Sequence, residues 1–97
     1  MNEVPKLEGA MKLLEEDCLN RAHRTNQDYS KEWVEFSAEV GEPLRWLTCD
    51  PQTSGGLLVA CAPERVDDVL ALFHQDGFAD ARVIGELDEG PARVEVV

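Results

Sequence analysis

Apolar positions near the start of the chain recur at three- and four-residue steps. Leu7, Ala10, Met11, Leu14 and Cys18 form the series, with Lys6, Glu8, Lys12, Glu15 and Glu16 largely opposite. That spacing predicts an amphipathic helix, and Pro5 suits its first turn. Gly9 costs such a helix about 1 kcal/mol relative to alanine, so it marks either close packing or a late helix start. Residues 19–31, "LNRAHRTNQDYSK", have no apolar period and read as a loop or strained connection. In "EWVEFSAEV" the period changes: Phe36, Ala38 and Val40 share one parity against Glu35, Ser37 and Glu39, the pattern of a half-buried strand. Gly41 and Pro43 break it. "PLRWLTCD" then reads as a short helical turn carrying Leu44, Trp46 or Leu47 inward.

The second half alternates the two periods. "LLVACA" is a continuous apolar run of strand length, which predicts a central strand covered on both faces. Val66, Val69, Leu70 and Phe73 make the stripe of a helix over 63–76, with Pro63 and Glu64 in its first turn and Asp67 and Asp68 favoured by its dipole. Gly77 stops it, and Phe78 is placed to pack back on Phe73 in a Schellman-type cap. "DARVIGEL" and "PARVEVV" read as two strands around "DEGP", a turn with hairpin chemistry. The fold class predicted is α+β: a mixed or antiparallel sheet of about four strands, near 33–40, 56–62, 80–87 and 92–97, with two main helices packed on it. The helix at 63–76 is expected to lay its apolar stripe on that sheet.

Composition narrows the function classes. Ninety-seven residues make one domain at most, with 43% hydrophobic residues to build a core. Twenty acidic against nine basic residues give a net charge of −11, which disfavours nucleic acid and anionic lipid surfaces as partners. No apolar run approaches the roughly 20 residues that span a bilayer, and "MNEVPKLEGA" has no signal-peptide pattern, so a cytoplasmic location is expected. Cys18, Cys49 and Cys61 are odd in number and widely spaced, and only His23 and His74 stand by to complete a metal set. Three reduced, mostly buried thiols are expected, with no metal site. Arg21, His23 and Arg24 form a basic cluster in an acidic chain. It is either a solvated surface offsetting carboxylates or an anion contact.

The stretch with most chemistry is Asp50-Pro51-Gln52-Thr53-Ser54-Gly55-Gly56, directly before "LLVACA". Asp50 and Pro51 suit the entry of a turn. Gln52, Thr53 and Ser54 offer polar groups. Gly55 and Gly56 permit positive φ and close backbone approach, so Gly56→Val is expected to damage folding. A phosphate nest is conceivable, but a Walker loop needs a lysine and a following helix, and here an apolar strand pattern follows. Ser54 is outside a G-x-S-x-G elbow, and Cys49 has no histidine beside it in sequence, so no catalytic residue is assigned. On chemistry alone the segment is either a structural turn or a ligand-facing loop.

"LTCDPQTSGGLLVACAPE", followed by an amphipathic helix and "VIGEL", closely resembles the C-terminal domain of the selenophosphate synthetase (selenide, water dikinase) family. The likeness runs less strictly from Val4 to Val97. It implies a single partial C-terminal domain over 1–97. The family transfers phosphate from ATP to selenide, giving selenophosphate, AMP and phosphate. The resemblance implies that the nucleophilic cysteine or selenocysteine, the essential lysine and the magnesium-binding aspartates belong to an N-terminal domain. This segment would then hold no cofactor, be inactive by itself, and support a chamber where the full-length family uses ATP and magnesium. It further implies that Asp50–Gly56 faces that chamber between domains. The family's Pro-Gly-Gly-Thr turn after the first helix is replaced by "NRAHRTN", so only Arg24 and Asn26 carry over as an anion contact. The partners implied are an N-terminal catalytic domain, or a second copy covering an exposed apolar patch. Competing readings are another member of the wider aminoimidazole-ribonucleotide-synthetase-like family, and a stand-alone small-ligand or partner-binding module.

Overall fold

The computed structural model describes residues 3–97. Contacts divide it into two compact units: Lys6–Gly55 together with Gly90–Val97, and Gly56–Glu89 with residues 3–5.

The first unit is mainly helical. Helix α1 covers Ala10–Glu15, a late start that Gly9 explains by adopting φ 81 at the N-cap. Its far end closes as a Schellman turn: Asp17 takes φ 57 while Cys18 N–H reaches the Leu13 carbonyl at 2.9 Å. The short span leaves Leu7 and Cys18, the ends of the sequence stripe, exposed, and only Leu14 buried. Residues expected as a loop form helix α2, Arg21–Ser30. Asn20 caps it, its Oδ1 accepting from the amides of Ala22 at 2.8 Å and His23 at 3.1 Å. Helix α3, Glu42–Thr48, has Pro43 in its first turn and buries Trp46.

The sheet is the main correction. The four-stranded mixed or antiparallel sheet does not form among the described residues; there are four helices and one parallel pair. Strand β1, Val34–Phe36, pairs with β2, Val94–Val96, in the register Val34 with Val94 and Phe36 with Val96. This register sets Glu35 beside Glu95, and the guanidinium of Arg93 contacts both carboxylates. The predicted strand at 33–40 ends early because Ser37–Val40 folds into a turn. There the Arg45 Nε donates to the Val40 carbonyl at 2.9 Å, and its guanidinium lies 5.4 Å from the Phe36 ring centre. Val40, Leu14, Trp46 and Cys49 make the buried apolar core of this unit.

In the second unit, a 3₁₀ turn at Pro63–Arg65 leads into helix α4, Val66–Gln75. Its cap matches expectation. Gly77 sits at φ 93, Phe78 N–H bonds the Phe73 carbonyl at 2.9 Å, and the two rings meet edge to face at 6.1 Å. The flanking segments do not match. Residues 56–62 and 80–87 are not strands, the hairpin around "DEGP" is absent, and Leu57 and Leu58 are over four-fifths exposed. A run apolar at both parities needs cover on both faces and backbone partners on both sides. A unit this small, with one ten-residue helix, supplies neither. Val66, Val69, Leu70 and Phe73 are accordingly half-buried, without the sheet they were expected to pack on.

Candidate functional site

The Asp50–Gly56 loop leaves helix α3 with its first residue anchored. Asp50 is half-buried and Pro51 to Gly56 are exposed. Gln52 N–H reaches back to the Asp50 carbonyl at 2.9 Å, closing a three-residue turn around Pro51, whose ring fixes the φ such a turn needs. The positive φ expected at Gly55 or Gly56 falls instead on Ser54, at 58°. At Gly55 the space is tight instead: a Cβ there would meet Gln52 Oε1 at 3.0 Å and its Cβ at 3.3 Å, so the exposed Gln52 side chain would have to shift. A Cβ on Gly56 would meet nothing within 4 Å.

Helix α2 holds the entry to this loop from two points. Asn26 Nδ2 donates to the Cys49 carbonyl at 2.9 Å. One turn earlier, His23 is 4% exposed and its Nε2 lies 3.1 Å from Asp50 Oδ1. The carboxylate oxygen stands off the ring N–H direction, so the contact is short without being an aligned hydrogen bond. On the other side of the ring, Nδ1 lies 3.3 Å from the Asn20 amide nitrogen and 3.2 Å from Asn20 Oδ1. A bare Nε2 would set its lone pair against a carboxylate. The arrangement favours the tautomer with hydrogen on Nε2, whose Nδ1 accepts from the Asn20 backbone N–H.

The candidate anion contacts are engaged within the protein. The Arg24 guanidinium lies 5.7 Å from the centre of the Trp46 ring, in cation–π range, and the Asn26 amide is the one holding Cys49. Asn26 and Asp50 are thus brought close through the Cys49–Asp50 peptide, and Arg24 stands apart on Trp46. In the sequence His23 stands out only as one of a basic cluster and one of two histidines available to complete a metal set, not as a partner of the loop. The sign that distinguishes it is Asn20 three residues earlier, a strong N-cap type that makes His23 the third helical position. Of the thiols, Cys49 is buried and Cys18 and Cys61 are exposed, which corrects the expectation of mostly buried cysteines. Among the described residues no three His, Cys, Asp or Glu side chains group to hold a metal ion. No described helix is long and apolar enough to cross a membrane.

Residues 8–97 match the family of the AIR synthase related protein, C-terminal domain. The chain belongs to that family. It is 46% identical over 95 residues to a selenide, water dikinase of Paraburkholderia xenovorans, covering 98% of this chain and 27% of the relative. A selenide, water dikinase of Burkholderia orbicola is 74% identical over 72 residues, covering 68% of this chain and 20% of the relative. One of Pseudomonas straminea is 38% identical over 94 residues, covering 97% and 26%. The chain thus spans 20 to 27% of the length of these relatives. No solved structure matches it.

Proposed function

We propose that this chain serves as the C-terminal portion of a selenide, water dikinase, completing an active chamber whose catalytic groups belong to an N-terminal domain. The observation that carries this reading is the likeness to relatives of that name over nearly the whole chain. ATP and magnesium would bind the catalytic portion, and phosphoryl transfer would rely on its cations and metal ions. The role of this chain would be to present the exposed Gln52, Thr53 and Ser54 toward that chamber from an entry fixed at Asp50. Its partner would be the catalytic domain or a second copy, in the cytoplasm. The exposed Leu57 and Leu58 support a partner, since apolar side chains this open in a small unit favour association.

Incubating the purified chain with ATP, magnesium and selenide tests the first half of the proposal. No AMP is expected from the chain alone, and AMP is expected once the N-terminal three-quarters of the Paraburkholderia relative is added. Selenide-dependent AMP from the chain alone would overturn the division of labour. Thr53→Ala tests the second half. The hydroxyl is on an exposed residue, so its loss changes stability by under about 0.5 kcal/mol. A reconstituted activity and ATP affinity unchanged by Thr53→Ala would reduce the loop to a turn.

A further inference from the structure

We propose that His23 is a positioning residue for the Asp50–Gly56 loop: its Nε2–H orients the Asp50 carboxylate and so fixes how the polar tip leaves helix α3. The inference rests on the reading above only for what the tip is for; the pin itself stands on geometry.

Three observations carry it. The ring is almost fully removed from water, yet its Nε2 makes no aligned hydrogen bond, and the group it faces is the Asp50 carboxylate at 3.1 Å. A buried polar atom in that condition is costly, and its nearness to the Asp50 carboxylate offsets part of that cost. Second, the ring cannot turn away freely. Asn20 holds Nδ1 from the cap of the same helix, so rotation of the imidazole would disturb the capping arrangement as well. Third, the grip has two points on one helix face. His23 and Asn26 are three residues apart, and they take the carboxylate of Asp50 and the carbonyl of Cys49, neighbouring groups of the chain. Asn26 fixes where the peptide passes, and His23 fixes which way the Asp50 side chain turns. With Asp50 set, the Pro51 turn determines the direction of Gln52 and Thr53.

Amide and ring nitrogen spectra of the ¹⁵N-labelled 97-residue chain test this. Ring spectra of the wild type are expected to place hydrogen on Nε2; hydrogen on Nδ1 with a bare Nε2 overturns the proposal. His23→Leu, which keeps bulk and removes the donor, is expected to shift the Gln52–Gly56 amides. His23→Gln, whose amide N–H₂ can reach the same carboxylate, is expected to return them toward wild type. Unmoved loop amides in His23→Leu, or His23→Gln no closer to wild type than His23→Leu, refute it. If His23→Leu fails to fold, Asp50→Asn decides from the other side. Shifts in both the His23 ring and the loop amides support the pin, and shifts in neither overturn it. These readouts need no activity. A silent Thr53→Ala would defeat the chamber-facing role while leaving the pin intact, and unmoved amides would do the reverse.

Discussion

Leu7 and Leu14 lie on one face of the helical period read from sequence, yet the structure separates them: Leu7 is 82% exposed and Leu14 9%. Truncating each to alanine therefore measures where helix α1 begins. Leu→Ala removes three carbon groups at about 0.8 kcal/mol each, so a side chain nine-tenths out of water loses about 2 kcal/mol of transfer energy. A residual cavity adds to this, but Leu14 lies near the surface of a short helix, and partial collapse keeps the total at the low end of the usual 2–5 kcal/mol. Leu7→Ala should change stability by less than about 0.5 kcal/mol. Urea unfolding followed by the buried Trp46, in a Trp33→Phe background that silences the half-exposed second tryptophan, isolates the unit containing α1. With a slope of about 1 kcal/mol per molar, Leu14→Ala should lower the midpoint by about 2 M at unchanged slope. Equal shifts for the two variants, or a loss under about 0.5 kcal/mol at Leu14, would refute the reasoning and restore the longer helix.

Two backbone positions give further tests. Ser54→Gly relieves the left-handed strain of about 1 kcal/mol at φ 58 but adds comparable freedom to the unfolded chain. A net change within about 0.5 kcal/mol is expected from the same urea titration, whereas β-branched Ser54→Val should be clearly destabilising. Gly77→Ala places a side chain at φ 93, which should weaken the α4 cap by about 1–2 kcal/mol. A lower helical melting temperature by circular dichroism would report it, and an unchanged one would count against the cap.

How much of this was readable in advance depended on the range of the forces involved. The end of α4 was legible because its signals are local: a glycine at the stop, and Phe73 and Phe78 five residues apart. Helix α2 was not, because its inward face is polar. His23 is buried and Gln27 and Ser30 are half-buried at helical spacing, a stripe that a search for apolar periodicity passes over. The strands failed for the opposite reason. Residues 56–62 and 80–87 have the composition of strands, but a strand exists only with partners. β1 instead found its partner 60 positions along in the register of Val34 with Val94. The loop at Asp50–Gly56 was legible as chemistry, while its anchor, His23, lies 27 positions away and became visible only once both were placed in space.

The glycine pair at the end of that loop leads to a last prediction, one that reverses the expectation from sequence. Two adjacent glycines before an apolar run predict that Gly56→Val damages folding. Gly55 meets some crowding, since a Cβ there lies 3.0 Å from Oε1 of the exposed Gln52 side chain, which would have to give way. Gly56 does not: it has no positive φ, and its added Cβ meets nothing within 4 Å. Gly56→Val should therefore leave the stability of the isolated chain within about 0.5 kcal/mol, measured by urea unfolding, since a surface change without strain or lost contacts has little to act on. If the loop meets a partner closely, as the proposed chamber requires, the same side chain should lower the affinity for the N-terminal portion or the reconstituted turnover. Neutral stability with reduced assembly would assign Gly56 to an approach made by the partner's backbone or a ligand. A loss of stability in the isolated chain would mean that Gly56 is constrained within the chain itself, and the argument from open space would fail.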